Sequence, residues 1–494
     1  MIVKNGGGNL YQLFFVTLQV QKFRNETNYN KSKYSQLTKS KIDKNSLLNK
    51  MKRSFLLLLI AALTLNFATA TENQSTNTLK NSRLLKEGND RFALKAQGFM
   101  GFYVDRQPHI NKLDPSAPTG LMFGIEFPSL QQLPWQQYLQ NPTVGLGMTY
   151  MNLGSDMLGH VVALYPYIML NCVRTEHFEM KVKLAPGLAV VSEHWYTQKD
   201  TDYDHYYDPT TNTIFGCYLN AYLNAGLNLN FPITRNFAIN SEIGFIHLSN
   251  GRTCMPNVGA NIFYGGVGMV ATINPEKEER EPIQFPNLPY KWSLNVTAAG
   301  GVQASQITDT HKFFVASFHT GAIYNVCNWY GVGLGADVFF NDAIGKNTTR
   351  NLYSKDPRIN YTEKDKFRMG IALNNEFKFG AVTTIFDWGI YLYNPARNYF
   401  YDYVRDYCKD ELVKRPLFYK SLGAGVDEAF HYFRFGIKVR VWDNIHLQAT
   451  CKTHMQIAEF VEFGINYQIP FLKEDKREEG KSMIFHQRRG WWEN

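Results

Sequence analysis

Tyr330-Gly-Val-Gly-Leu-Gly-Ala-Asp-Val-Phe-Phe340 decides the fold. Positions 332, 334, 336 and 338 are Val, Leu, Ala and Val, and the residues between them are Gly, Gly and Asp. A period of two belongs to a strand, whose side chains point alternately to opposite faces. The same alternation runs through Val144-Gly-Leu-Gly-Met-Thr-Tyr-Met, Phe178-Glu-Met-Lys-Val-Lys-Leu and Phe433-Arg-Phe-Gly-Ile-Lys-Val-Arg-Val-Trp. Working outward predicts strands near 96–104, 119–129, 142–153, 158–173, 176–193, 213–231, 236–248 and 259–274. A second set is predicted near 290–306, 312–326, 329–341, 366–378, 381–394, 431–441, 444–454 and 458–470. Many exceed ten residues, which is longer than soluble strands usually run and close to the ~9–11 that cross a bilayer.

The connections favour a membrane barrel over a pair of soluble sandwiches. If the first strand leaves the periplasm, the long connections 105–118, 194–212, 342–365 and 395–430 all face outward. Most inner ones are tight turns, such as Arg174-Thr175, Pro232-Ile-Thr-Arg235 and Trp442-Asp443, with 130–141 the exception. Long outer loops and short inner turns are the asymmetry of outer-membrane barrels. The expected class is therefore all-β: an antiparallel transmembrane outer-membrane β-barrel of about 16 strands, as two 8-strand halves. Whether these form one barrel or two joined ones is open at this level. The final strand, Glu462-x-Gly464-x-x-Tyr467-x-Ile469, is similar to the insertion signal that ends bacterial outer-membrane barrels.

Charge locates the start of the exported chain. The 494 residues carry 52 Lys/Arg against 43 Asp/Glu, but residues 1–70 hold 11 against 2, so the remainder is balanced at 41 against 41. A nucleic-acid partner held by a basic surface is not expected of a neutral body. Met51-Lys52-Arg53, the apolar run at 55–67 (FLLLLIAALTLNF) and Ala68-Thr69-Ala70 form a secretory signal peptide with cleavage after Ala70. The expected organisation is a leader or over-extended start (1–50), the signal peptide (51–70), an N-terminal segment (71–94) and a first barrel half (95–274). A linker (275–289), a second half (290–471) and a polar tail (472–494) follow. The six Cys are widely spaced without a C-x-x-C pair, which specifies neither disulfides nor a metal site.

The chemistry concentrates in Gly244-Phe-Ile-His247-Leu-Ser249-Asn250-Gly251, followed by Pro256-Asn257-Val-Gly259-Ala-Asn261. His247 and Ser249 are two apart on a strand and share one face, which is the minimum for a serine nucleophile with a histidine general base. Their row also contains Ile239, Ile243 and Phe245, whereas the opposite row holds Asn240 and Glu242. The pair should thus point to lipid, at the outer end of an outgoing strand, where polar groups are costly unless used or paired.

These residues resemble the active-site hairpin of PagL-type lipid A 3-O-deacylases, in the branch labelled acyloxyacyl hydrolase of Bacteroidetes-like bacteria. The resemblance implies an outer-membrane barrel enzyme, a carboxylic ester hydrolase that removes an ester-linked acyl chain from lipid A of lipopolysaccharide, with no metal or cofactor. It makes His247 the general base and Ser249 the nucleophile, and puts Asn250 and Asn257 at the oxyanion. The family's orienting Glu falls on Asn261. An Asn can hold the histidine tautomer but cannot offset imidazolium charge. The other readings are a non-catalytic barrel, such as a porin or scaffold, and an outer-membrane phospholipase or esterase.

Elsewhere, His454 lies on the polar row with His446, Gln448, Thr450 and Lys452, and is expected to join Glu462 in a lumenal network. Asp200, Asp202 and Asp204 have calcium-loop spacing without the Gly and Glu of an EF-hand, so a solvated acidic loop is expected.

Overall fold

The computed structural model describes residues 91–104, 113, 115–129, 134–197, 211–275, 290–304, 311–344, 362–395, 430–454 and 457–471. The expected leader, signal peptide, polar tail and Asp200–Asp204 motif, with most of the linker, lie outside the described residues.

Each half closes on itself. The first barrel consists of β1 (Phe92–Tyr103), β2 (Thr119–Pro128), β3 (Thr143–Asn152), β4 (His160–Arg174), β5 (Glu179–Val191), β6 (Leu219–Pro232), β7 (Phe237–Ser249) and β8 (Ala260–Ile273). Neighbours pair antiparallel in chain order, and β8 returns to β1 from Phe92↔Ile273 to Tyr103↔Ile262. The second consists of β9 (Trp292–Ala304), β10 (Lys312–Cys327), β11 (Tyr330–Asn341), β12 (Phe367–Phe379), β13 (Val382–Tyr393), β14 (His431–Arg440), β15 (Ile445–His454) and β16 (Ile457–Phe471). It closes through β16 and β9, from Val461↔Val302 to Phe471↔Trp292. The question the sequence left open resolves as two eight-stranded barrels.

The walls are inside-out relative to a water-soluble protein. On β2, Leu121, Phe123, Ile125 and Phe127 are exposed, while Met122 and Glu126 are buried. The same alternation of exposed and buried positions runs along the other strands: apolar rows face lipid, and the inward rows carry the buried polar groups together with the apolar residues that plug the first lumen. The inner turns hold as the sequence predicts, Thr175 and Trp442 each donating across a tight reversal to Phe178 and Ile445. The longer inner connection contains a short helix, α1 (Pro134–Tyr138).

In the first lumen the buried carboxylate of Glu242 accepts hydrogen bonds from Lys95 Nζ at 2.7 Å and Asn228 Nδ2 at 2.9 Å, and also from Lys183 and Tyr264. Towards the outer end, Tyr165 stacks on Tyr222 at 4.8 Å, and Met151, Leu158, Phe215, Ile246 and Leu248 fill the remaining space. The second lumen is charged along its length. Asp337 accepts from Arg434 and Tyr432, both at 2.6 Å, and pairs with His319; Lys438 pairs with Glu376 and Lys452 with Glu459. A cavity of about 10 Å³, room for about one water, lies among His319, Glu376, Arg434 and Lys438.

Two expectations are corrected here. His454 is lumenal, but its ring meets Tyr391 Oη at 2.8 Å and lies 3.7 Å from Glu459, whereas Glu462 accepts from Arg434 and Thr450. Successive lumenal side chains stand at different depths, so the carboxylate at the level of His454 is the one three residues earlier than Glu462. The strand expected from residue 213 begins instead at Leu219, because residues 211–218 form a strap across the outer end of the barrel, where Ile214 and Phe215 are fully buried.

Removing one member of a buried ion network leaves its partners unpaired, at a cost of about 3–5 kcal/mol. Glu242→Ala should accordingly lower the first barrel's stability by that order, read as a lower denaturant midpoint in detergent, while Glu179→Ala, at the less deeply buried pairs with Arg174 and Lys181, changes it by less.

Candidate active site

The site is built on one strand end and its neighbour. On β7 the outward row ends with Phe245, His247 and Ser249, each partly buried, between the buried Ile246 and Leu248 of the inward row. Antiparallel register sets His247 directly opposite Asn261 on β8, so their side chains emerge on the same face. The ladder with β8 stops at Leu248↔Ala260, which leaves Ser249 beyond the last pair on that side. On the other side β6 places Leu223 beside His247 and Ala221 beside Ser249.

The three polar groups form a chain along this face. Ser249 Oγ lies 2.9 Å from His247 Nε2, and Asn261 Oδ1 lies 2.7 Å from His247 Nδ1. With the amide oxygen towards the ring, Nδ1 carries the hydrogen and donates to Asn261, so the Nε2 lone pair accepts from the serine hydroxyl. This is the tautomer a general base requires. Below the pair the wall is apolar: Phe245 meets Phe263 edge-on at 5.2 Å, Phe263 meets Phe102 at 5.9 Å, and Ile243 is exposed.

Asn250 and Asn257 lie together in the β7–β8 loop. The Asn250 backbone N–H donates to Asn257 Oδ1 at 3.0 Å, and Cys254 N–H donates to Asn250 Oδ1 at 3.2 Å. Both side-chain oxygens are therefore occupied within the loop. Asn250 Nδ2 is buried without a hydrogen-bond partner among the described residues, a donor available to a developing negative charge.

Two features of the site were not visible in the sequence reading. Gly259 turns the chain back at φ +76°, and a Cβ there would come within 3.0 Å of the Leu248 carbonyl and 3.3 Å of Ser249 Cβ. The strap holds the same corner: Val258 N–H donates to Thr213 O at 3.3 Å and Gly259 N–H to Ile214 O at 3.0 Å. Asn212 fixes the strap by accepting from Ile214 N–H at 3.0 Å and donating to Met157 O at 2.9 Å. An Asn bonding the backbone two residues on is a turn signal, and it could have separated 211–218 from the strand.

Residues 120–270 match the family described as Lipid A 3-O-deacylase (PagL), and residues 292–404 and 418–471 match the one described as Acyloxyacyl hydrolase, C-terminal domain. No curated protein matches the chain. Among solved structures, it is similar to the outer membrane enzyme PagL at 14% identity, with a TM-score of 0.25 over 35% of this chain and 97% of that one. It is also similar to Neisserial surface protein A at 8% identity, with a TM-score of 0.21 over 37% of this chain and 95% of that one. The two matches fall one on each barrel and together span nearly two thirds of the sequence, which makes the chain a PagL-type protein.

Proposed function

We propose that this protein is an outer-membrane lipid A deacylase in which Ser249 and His247 carry the chemistry. The observation that carries the reading is the Asn261–His247–Ser249 chain, with contacts of 2.7 and 2.9 Å, placed on the lipid-facing wall at the outer rim of the barrel. A nucleophile there meets the ester of a lipid whose acyl chain runs down Phe245, Phe263 and Ile243 and whose sugar stays at the membrane surface. Lipid A of lipopolysaccharide has that shape and lies in the outer leaflet.

The steps follow from the geometry. Ser249 Oγ attacks the acyl carbonyl as His247 Nε2 takes its proton. The resulting oxyanion is met by amide donors of the loop, Asn250 Nδ2 foremost and Asn257 beside it. Collapse breaks the ester C–O bond, and His247 returns the proton to the departing sugar oxygen. Water, deprotonated by the same ring, then releases the fatty acid. Asn261 keeps the ring in its tautomer throughout but supplies no negative charge to the imidazolium.

A pore has less in its favour. Aromatic and aliphatic side chains pack across the outer part of the first lumen, and paired charges cross the second. Planar-bilayer recordings of the purified chain should accordingly show no stable single-channel steps.

Mass spectrometry of lipid A tests the enzyme. The parent should remove one ester-linked acyl chain, and Ser249→Ala should slow this by about 10³-fold or more. Intact lipid A with both proteins would sink the assignment. Substitution at position 261 separates tautomer control from charge: Asn261→Leu should lower the rate by about 10–10²-fold, and Asn261→Glu should raise it above the parent by stabilising the imidazolium.

A further inference from the structure

The β7–β8 loop carries the proposed oxyanion donors and returns the chain from Ser249 to Asn261, so whatever holds the loop sets the geometry of the site. Its far end, at 258–259, is held by the strap. Its near end is held by the second barrel. Ala304 N–H, at the outer end of β9, donates to the Arg252 carbonyl at 2.9 Å. Lys312 Nζ, at the start of β10, lies 3.5 Å from Cys254 Sγ. Val461, on the outward row of β16, sits against Gly251 so closely that a Cβ on the glycine would reach 2.2 Å from its Cγ2. Met255 is buried in a small cluster with Ala304 and with Trp195 of the first barrel.

These contacts come from three strands of the second barrel, all at its outer end, and all fall on residues 251–255. The loop tip needs them. Gly251 and Arg252 are both left-handed, at φ +60° and +68°, a costly reversal for Arg that surrounding structure must hold. Ser249 has no ladder partner on β8, and short rim segments with few bonds open easily. The Lys312 contact has a charged character: a hydrogen bond from Cys217 and the nearby Lys312 ammonium hold the Cys254 thiol down to about 6, against the effect of burial.

We propose that the second barrel is the platform that positions the catalytic loop, with Ala304, Lys312 and Val461 as positioning residues acting through 251–255 on Asn250 and Ser249. What is positioned rests on the deacylase reading, whereas the docking itself does not. A displacement of about 1 Å in a catalytic group can cost up to 10²-fold in rate, so a support this close to the nucleophile is felt in kcat.

The test uses the full chain and three readouts. In a Cys217→Ser background, Lys312→Cys should be bridged to Cys254 by a short bis-methanethiosulfonate, which reads docking without reference to activity. Val461→Trp wedges the tip, and Lys312→Met removes the charged contact. Each should lower kcat on lipid A by about tenfold or more with KM changed less than about twofold. Labelling of Ser249 by an alkyl fluorophosphonate should slow in parallel, with the denaturant midpoint of the first barrel unchanged. An absent cross-link, or a cross-link with unaltered kcat and labelling in both variants, overturns the proposal. If the parent leaves lipid A intact while Ser249 still labels, and the variants slow that labelling, the platform stands and the substrate reading falls. If the parent neither labels nor deacylates, both fall.

Discussion

A backbone N–H or C=O left unpaired in hydrocarbon costs several kcal/mol, and the architecture follows from that constraint. An open eight-stranded sheet would present two such edges to lipid. The β8–β1 and β16–β9 ladders remove them, and each half becomes a closed ring in which every side chain faces either lipid or lumen. Eight strands enclose too little space for a water column, so the lumen must be filled by side chains. In the first barrel these are Glu242 with its two lysines beneath a stack of aromatic and aliphatic groups. In the second they are paired carboxylates and cations along its length.

With the interiors filled, the outer rim is where chemistry on a membrane lipid has space. β7 illustrates the division. Its inward row carries Glu242, which neutralises buried lysines, and its outward row carries His247 and Ser249. A one-residue slip of register would exchange the two sets, moving the carboxylate into lipid and the serine into a packed core. The β7–β8 ladder that fixes this register therefore also aims the proposed nucleophile, and it delivers Asn261 opposite the histidine.

The rim is also the least constrained part of a barrel, since ladders end there. Here the corner after Ser249 is held from two directions. The strap bonds 258–259, and the second barrel touches 251–255. An asparagine in place of a carboxylate at position 261 keeps the histidine tautomer at no charge cost in an apolar wall. In the proposed reaction it leaves the imidazolium without a counter-charge, so that the loop's amide donors would carry a correspondingly larger share of the stabilisation.

The period-two pattern was strong enough in the sequence to place sixteen strands within a few residues of where they lie, because each strand is half lipid and half lumen and its alternation is local. The same locality made the facing of His247 and Ser249 readable, since two residues on one strand share a face whatever the rest of the chain does. Closure into two rings was not readable, because it depends on β8 finding β1 and β16 finding β9 across more than 150 residues. The strap at 211–218 looked like the start of β6, as apolar residues that plug a barrel mouth resemble those of a strand. His454 was assigned to the wrong carboxylate because lumenal partners are chosen by height within the barrel, which the periodicity of one strand does not report. Sequence alone determined the strands, their faces and the catalytic candidates; tertiary structure decided which strands close, which charges pair and what holds the loop, since those depend on contacts between residues far apart in the chain.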